Sequence, residues 1–531
     1  MLLSTSRTIL LLSLMVLSPF VQAQVTPSWV NQVKSKPTAL LDPSYEYKNL
    51  EQIGDVVYKN GQVYSCGRFS GARGFFGSIT KYADTSKLYS FWDSTKAQFF
   101  TPFISCTDNQ GNYLWVKTLT NNQSLTNGVT MSMVAVRLCS DPDGNIYVSG
   151  SSIYGDSVKY DGQLIFTDEL GYTNSFSYLL KVSPSGQLLW SKFWVQSENG
   201  QSSGEAEILV GLYHFNNKIH VHNVSPGLKF NGNFYPFGPT KNGTIRFRTD
   251  GTFDGAGPLV TPMDDGGELI TSSYNPKSGN FMMAENLIRN PNVISPAFSY
   301  YSQLHVYDST LALKRFFKIR ATEGTDTAQI TNVASVVEDQ EGNIIGTGYA
   351  TGGGGADIWD LVVNNHKMRI GYFPSPNQYN ALKFMFRISK DGCLQWVRMI
   401  NETHDNGLLV LPNGSIAALA TPTGICDCGP FVAAPSMGVD STSVFYYDVN
   451  GIQTGQSPQI NLDYTIYSPW SQAYFGSFNS FSRMSPTPDG FVGSYGRGFF
   501  GFSIQPILRP ASIQLLPFRP MVRWNSARET V

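Results

Sequence analysis

The residues that could do chemistry are few and scattered. His220 and His222 in "KIHVHNV" form an H-x-H pair. On a strand, alternation puts both imidazoles on one face, the start of a zinc site. A third ligand is required, and the nearest histidine, His214, does not supply it. If Asn216-Asn217 make a tight turn, His214 falls opposite Ile219 and points to the other face. No metal is therefore expected. The stretch "DPDGNIYVSG" (141–150) has two carboxylates ahead of a glycine, as a calcium loop does. An EF-type loop needs its glycine sixth and a glutamate twelfth. Here Gly144 is fourth and Ser152 twelfth, so the stretch reads as a hairpin turn. "TGGGGADI" (351–358) lacks the helix and Lys-Ser/Thr of a phosphate loop. Asp264-Asp265 reads as a turn, because glycosidase chemistry needs two carboxyls facing each other across a cleft. No nucleophile elbow occurs. No catalytic residue and no cofactor are assigned.

The elements that carry these residues repeat. "YKNGQVYSCG" (58–67), "DPDGNIYVSG" and "EDQEGNIIGTG" (338–348) share a polar turn followed by an alternating apolar strand. Looser copies place the turn residue at 61, 144, 217, 279, 342, 414 and 490, intervals of 62 to 83 residues. A second strand–turn–strand follows each, best seen in "CTDNQGNYLWVKTL", "KVSPSGQLLWSKFW" and "RISKDGCLQWVRMI". In these, Trp115, Trp190 and Trp396 stand four residues after the turn glycine. Each unit is thus two hairpins, with strands A to D. A lone sheet of four short strands cannot bury both faces, but units arranged in a ring can. The expected fold is all-β: a seven-bladed β-propeller of four-stranded antiparallel blades, at about 51–120, 131–196, 207–261, 267–321, 330–400, 405–461 and 466–531.

Residues 141–190 resemble the bacterial secreted β-propeller repeat, of SBBP type, through Asp141, Gly144, Asn145, Tyr147, Val148, Gly150, Lys181, Gly186 and Trp190. Residues 58–119 and 338–400 resemble it too. The G-x-x-x-W element is also similar to pyrroloquinoline-quinone-type propeller repeats, a likeness of packing that does not imply a quinone. In the segment 24–50, "PSWVNQVKS" (27–35) looks like a D strand without a unit. It is expected to complete the last blade and close the ring, with "PMVRW" (520–524) as competitor for that place.

Charge and export bound the function. Lys+Arg is 38 and Asp+Glu is 39, which offers nucleic acid no electrostatic footprint. Residues 1–23 carry Arg7, a short apolar run and a small-residue site ending at Ala23, the pattern of a signal peptide. The mature protein is expected to be secreted, extracellular or periplasmic, with no integral membrane segment.

Long B–C connections at 71–100, 152–177, 351–381 and 422–442 fall on one face of the ring, and such insertions often mark a binding face. Two are aromatic-rich, which singles out Tyr89, Trp92, Trp359 and Tyr372 as ligand-stacking residues. The competing expectation is that these rings cover the loops as small cores. The functional expectation is a non-catalytic binding or scaffold propeller whose ligand is a glycan or a protein. The alternative is a propeller enzyme of quinoprotein, glycosidase or lyase type, with its site at the central opening of the same face. Of Cys66, Cys106, Cys139, Cys393, Cys426 and Cys428, the pair Cys66–Cys106 lies at similar height on adjacent strands and is the expected disulfide. The alternative is that several are buried thiols. Sequons stand at Asn122, Asn223, Asn242, Asn401 and Asn413.

Overall fold

The computed structural model describes residues 27–35, 52–70, 73–78, 89–92, 100–121, 132–153, 157–167, 176–195, 208–225, 227–237, 242–258, 268–286, 301–323, 326–327, 330–351, 358–372, 382–400, 407–420, 441–458, 460–461, 483–495 and 498–503. The signal peptide, Asp264-Asp265, Cys426, Cys428, Asn122, Asn401 and 520–524 lie outside them. The protein is all-β. Among the described residues every regular element is a strand and no helix is long and apolar enough to cross a membrane.

Antiparallel A–B–C–D sheets follow one another along the chain. The first unit is Gln52–Lys59, Gln62–Ser70, Phe100–Asp108 and Tyr113–Asn121. The second is Ser132–Ser140, Ile146–Ile153, Phe176–Val182 and Leu188–Val195. The third is Ile208–Phe215, Lys218–Val224, Asn242–Arg248 and Phe253–Pro258. The fourth is Glu268–Asn275, Asn280–Asn286, Ser302–Tyr307 and Leu313–Glu323. The fifth is Ile330–Glu338, Ile344–Thr351, Leu382–Ile388 and Leu394–Ile400. The sixth is Leu408–Val410, Ile416–Ala420, Ser441–Tyr447 and Gln453–Gln456. A terminal sheet holds Arg483–Thr487, Gly490–Tyr495 and Gly498–Ser503. Its next strand is Trp29–Ser35 from the other end of the chain, antiparallel to Gly498–Ser503 with Val30 opposite Phe500. Each A strand touches the A strand of the following sheet, and Arg483–Thr487 touches Gln52–Lys59.

Turn chemistry explains the hairpins. Asn60 and Gly61 both take positive φ, 51° and 82°, as the tight turn whose twist matches the flanking strands requires. In the Asp-x-x-Gly-Asn turns the aspartate is a staple. Asp141 accepts hydrogen bonds from the Asn145 backbone N–H (2.8 Å) and side-chain amide (2.9 Å), and from the Tyr147 hydroxyl (3.0 Å). Asp339 does the same for Asn343. Asp141, one of the two carboxylates that suggested calcium, is filled by these donors.

A second device recurs in the C–D pairs. Lys181 lies opposite Trp190 and Val182 opposite Leu188, so Leu189 is an unopposed bulge residue. The same slip follows Cys106 opposite Trp115 and Arg387 opposite Trp396. A bulge re-aims the side chain beside it, and here that side chain is the tryptophan. Alternation then gives each unit two apolar faces, which meet those of its neighbours. The core is a series of clusters between adjacent sheets rather than one central mass.

The expected Cys66–Cys106 bridge is corrected by register. Cys106 lies opposite Tyr64, and Cys66 opposite Ile104. The two thiols are diagonal, where strand geometry sets a separation of about 7–8 Å, too wide for a disulfide. Both are free and buried. Burial pushes Cys66 well up and Cys106 up to about 12, so both stay protonated and unreactive.

Candidate functional site

Four B–C connections, those of the first, second, third and fifth units, contain hairpins that join the preceding sheet; residues 422–440 of the sixth lie outside the described residues. Ser157–Tyr160 and Gln163–Thr167, from the second unit, pair with the D strand of the first, Tyr160 opposite Leu119. Gly227–Phe230 and Asn233–Pro236, from the third, meet the D strand of the second through Lys229 and Val195. Ile358–Val363 and His366–Tyr372, from the fifth, extend the fourth, Trp359 opposite Glu323. Arg73–Ser78 and Tyr89–Trp92, from the first, extend the terminal sheet through Trp29–Ser35, Phe76 opposite Val33. The insertions therefore broaden existing sheets, and each straps one unit onto the next. Tyr160 adds a latch: its hydroxyl donates to the Gly186 carbonyl (2.9 Å). The signal was in the sequence. Asp161-Gly162 and Asn231-Gly232 take φ values of 48°/84° and 49°/82° between alternating runs, the pattern of tight hairpins.

This placement revises the stacking residues. Trp359 is 6% exposed and belongs to the same buried cluster as Ala321 and Leu361, so it offers no platform to a ligand. Tyr89 and Trp92 lie at the two ends of an outer strand, opposite Phe76 and Arg73. Tyr372 lies opposite Ile358. Only the backbone of Tyr89, Trp92 and Tyr372 is described.

The seams between units carry the repeat's charged and aromatic residues. Trp115 of the first unit lies over Gly186 in the C–D turn of the second and donates its indole N–H to the Pro184 carbonyl (2.9 Å). A Cβ on Gly186 would stand 2.9 Å from that ring. Trp190 docks likewise on Gly251 with Thr249 O (3.2 Å), and Trp396 on Gly451 with Val449 O (3.0 Å). Trp29 of the N-terminal strand docks on Gly111 with Asn109 O (2.8 Å). Lys181 pairs with Asp141 of its own unit (3.4 Å) and reaches Thr249 O (3.0 Å) of the next. Arg387 repeats this between Asp339 and Val449 O. The D…K…G…W pattern is thus a joint between units. Burial pushes the Asp141 carboxyl up, but the Asn145 and Tyr147 hydrogen bonds and the Lys181 charge outweigh it. The net effect holds the group below its ordinary value.

The indole is not universal: Arg315 holds its position in the fourth unit and Gly455 in the sixth, and at the seam between the third and fourth units both halves of the clasp are missing. The docking position of the third unit is Gly255, and the turn position it would meet in the fourth unit is Leu311. His220 and His222 face this seam, packed on Phe215 (3.9 Å between ring centroids) and Phe281 (4.4 Å). His214 is opposite Ile219 and stacks on Tyr147, in the seam on the other side. Across the seam stand Glu285, Gln303 and His305, all buried. No ring nitrogen of His220 or His222 meets a protein hydrogen-bond partner, and His305 is 3.7 Å from Glu285. Burial pulls His222 down to about 3 and His305 to about 4. His220 is also well below its ordinary value, chiefly through burial, with His222 and Arg246 adding to the shift. Among the described residues, no three His, Cys, Asp or Glu side chains are placed to hold a metal ion.

Buried carboxylates elsewhere are committed. Asp55 accepts from the Val56 and Leu138 N–H groups (2.8 and 3.0 Å). Glu338 gathers Asn275, Asn280 and Arg315 from the fourth unit. Asp360 faces Lys367 and Arg369. A cleft of 420 Å³ between the fourth and fifth units is lined by Arg315, Phe317, Asn364, His366, Lys390 and Gly392. Its arginine is already held by Glu338 and by the Gly342 and Lys390 carbonyls.

No protein-family model and no curated protein sequence matches the chain. Among solved structures it is similar to a puromycin-hydrolysing peptidase of Mycobacterium tuberculosis (8% identity, TM-score 0.38); the match covers 89% of this chain but only 52% of the peptidase. It is similar to a PL25 ulvan lyase (10% identity, TM-score 0.40), covering 91% and 96% of the two chains. It is also similar to an α-L-arabinanase of Penicillium chrysogenum (11% identity, TM-score 0.35), covering 81% and 99%. Likenesses at this level assign no activity.

Proposed function

We propose that the chain is an exported seven-bladed β-propeller that binds a glycan or protein ligand on the face from which the B–C connections rise, without turning it over. The observation that supports this most is the insertion hairpins. A minimal ring does not need them, yet they recur on the same connection and stiffen its rim by pairing with the sheet before. The N-terminal strand beside Gly498–Ser503 supplies the last blade's outer strand and closes the ring. Described buried carboxylates serve turns and seams rather than a cleft, which suits binding more than acid–base chemistry. A second reading is glycan cleavage at the same face, the activity named for two of the similar structures; their TM-scores give it no weight. A glycan array combined with a degradation screen on purified protein separates the two. Saturable binding without new reducing or unsaturated ends is expected. Turnover of any glycan overturns the binding-only reading.

A further inference from the structure

We propose that the seam between the third and fourth units is an acid-sensitive joint: when His220 and His222 take up protons, the two sheets part along it while the neighbouring seam between the fourth and fifth units holds. The seam lacks the indole clasp, since Gly255 replaces the tryptophan and Leu311 the receiving glycine. Polar ties that cross it include Asn216 to the Ser309 carbonyl (2.9 Å) and Tyr213 to Ser272 (2.7 Å).

The charges around the imidazoles favour parting. On the third unit's face, His220 and His222 share a strand with Lys218 and lie opposite Arg246 and Thr244. Arg248, opposite Lys218, adds a third cation. The carboxylate there, Asp254, is already shared by Lys218, Arg246 and Arg248. Tyr213 and, across the seam, Tyr274 line the same space, and neither supplies a negative charge. On the fourth unit's face the titratable and charged groups are Glu285, His305, Tyr307 and, one strand out, Lys318 and Arg320. Glu285 sits beside His305, so a proton on His305 is partly compensated. Protons on His220 and His222 join a face that is already cationic.

Linkage fixes the direction. An imidazole held below its ordinary value of 6.5 in the closed seam binds its proton more readily once the seam opens. Opening is therefore favoured as pH falls from 6.5 towards the closed-state values, and not above that window. For His222, held at about 3 in the closed seam, the opening constant rises about thirtyfold between pH 7.5 and 5.0, and His220 acts in the same direction.

Met283 faces this seam, and its chain neighbour Met282 faces the next one; both are fully buried. Hydroxyl-radical footprinting of the full chain at pH 7.5 and 5.0 reads their oxidation side by side. The Met283/Met282 oxidation ratio is expected to rise at least tenfold at pH 5.0. In H220F/H222F the rise is expected to disappear. An unchanged wild-type ratio, or equal gains at both methionines, overturns the proposal. The wild-type ratio decides by itself if the variant does not fold.

Discussion

The seam between the second and third units and the seam between the third and fourth solve the same problem by different means. In the first, Trp190 leans across onto Gly251 and bonds to Thr249 O, while Lys181 reaches the same carbonyl. In the second, rings and imidazoles meet without an indole crossing over. The two halves of the clasp are missing together. With no indole to receive, Leu311 can hold its positive φ of 66° with a full side chain. A joint of this kind depends on a matched pair across two units, so the repeat is best understood at its boundaries.

Substitutions can break or sharpen that contrast. The largest effect is expected for W115A, which removes a docked indole and should lower stability by about 3–5 kcal/mol in denaturant titrations. A loss below about 1 kcal/mol would make the docked seam no stronger than the histidine seam. G186A comes next, at about 2–3 kcal/mol, because it adds a Cβ at φ +82° against the Trp115 ring. Calorimetry should show a lower melting temperature, and an unchanged one would deny the close approach. D141N should cost about 2 kcal/mol near neutral pH, through weakened turn and Lys181 contacts. A carboxyl held low in the fold contributes stability above its unfolded titration and loses it as pH falls through the folded value. The D141N and wild-type unfolding curves should therefore converge in strong acid. H220F is expected to shift stability by under about 1 kcal/mol at pH 7.5, and to exceed wild type at pH 5. Equal acid sensitivity of the two in a pH series of melting curves would remove His220 from the joint. C393S, on an exposed thiol, should stay within about 0.5 kcal/mol.

Much of this arrangement was legible in the sequence. Turn signals such as Asn60-Gly61 and Asp141-Pro142-Asp143-Gly144 located the hairpins, because their backbone demands are local. The face of His214 followed from the same kind of logic. The indole's destination was not legible, since G-x-x-x-W states a spacing and not which neighbour a bulge turns the ring towards. The insertion hairpins were missed for a different reason. Asp161-Gly162 and Asn231-Gly232 announce hairpins, but pairing with the previous unit is a long-range choice that no local pattern encodes. The Cys66–Cys106 expectation failed on register, because equal height on neighbouring strands still leaves the diagonal. For the ligand-facing residues, Trp359 shows that an aromatic in an insertion can serve packing alone.

The pairing of Trp29–Ser35 with Gly498–Ser503 has a mechanical consequence. Trp29 lies opposite Gly501, so the chain enters this pair beside the point where it leaves. A load applied between those two points acts across one end of the ladder and peels its hydrogen bonds in turn. A load spread along the strands would have to rupture them together. Stretched between Trp29 and Ser503, the protein should open first at this pair, at low force, while the internal sheets remain intact.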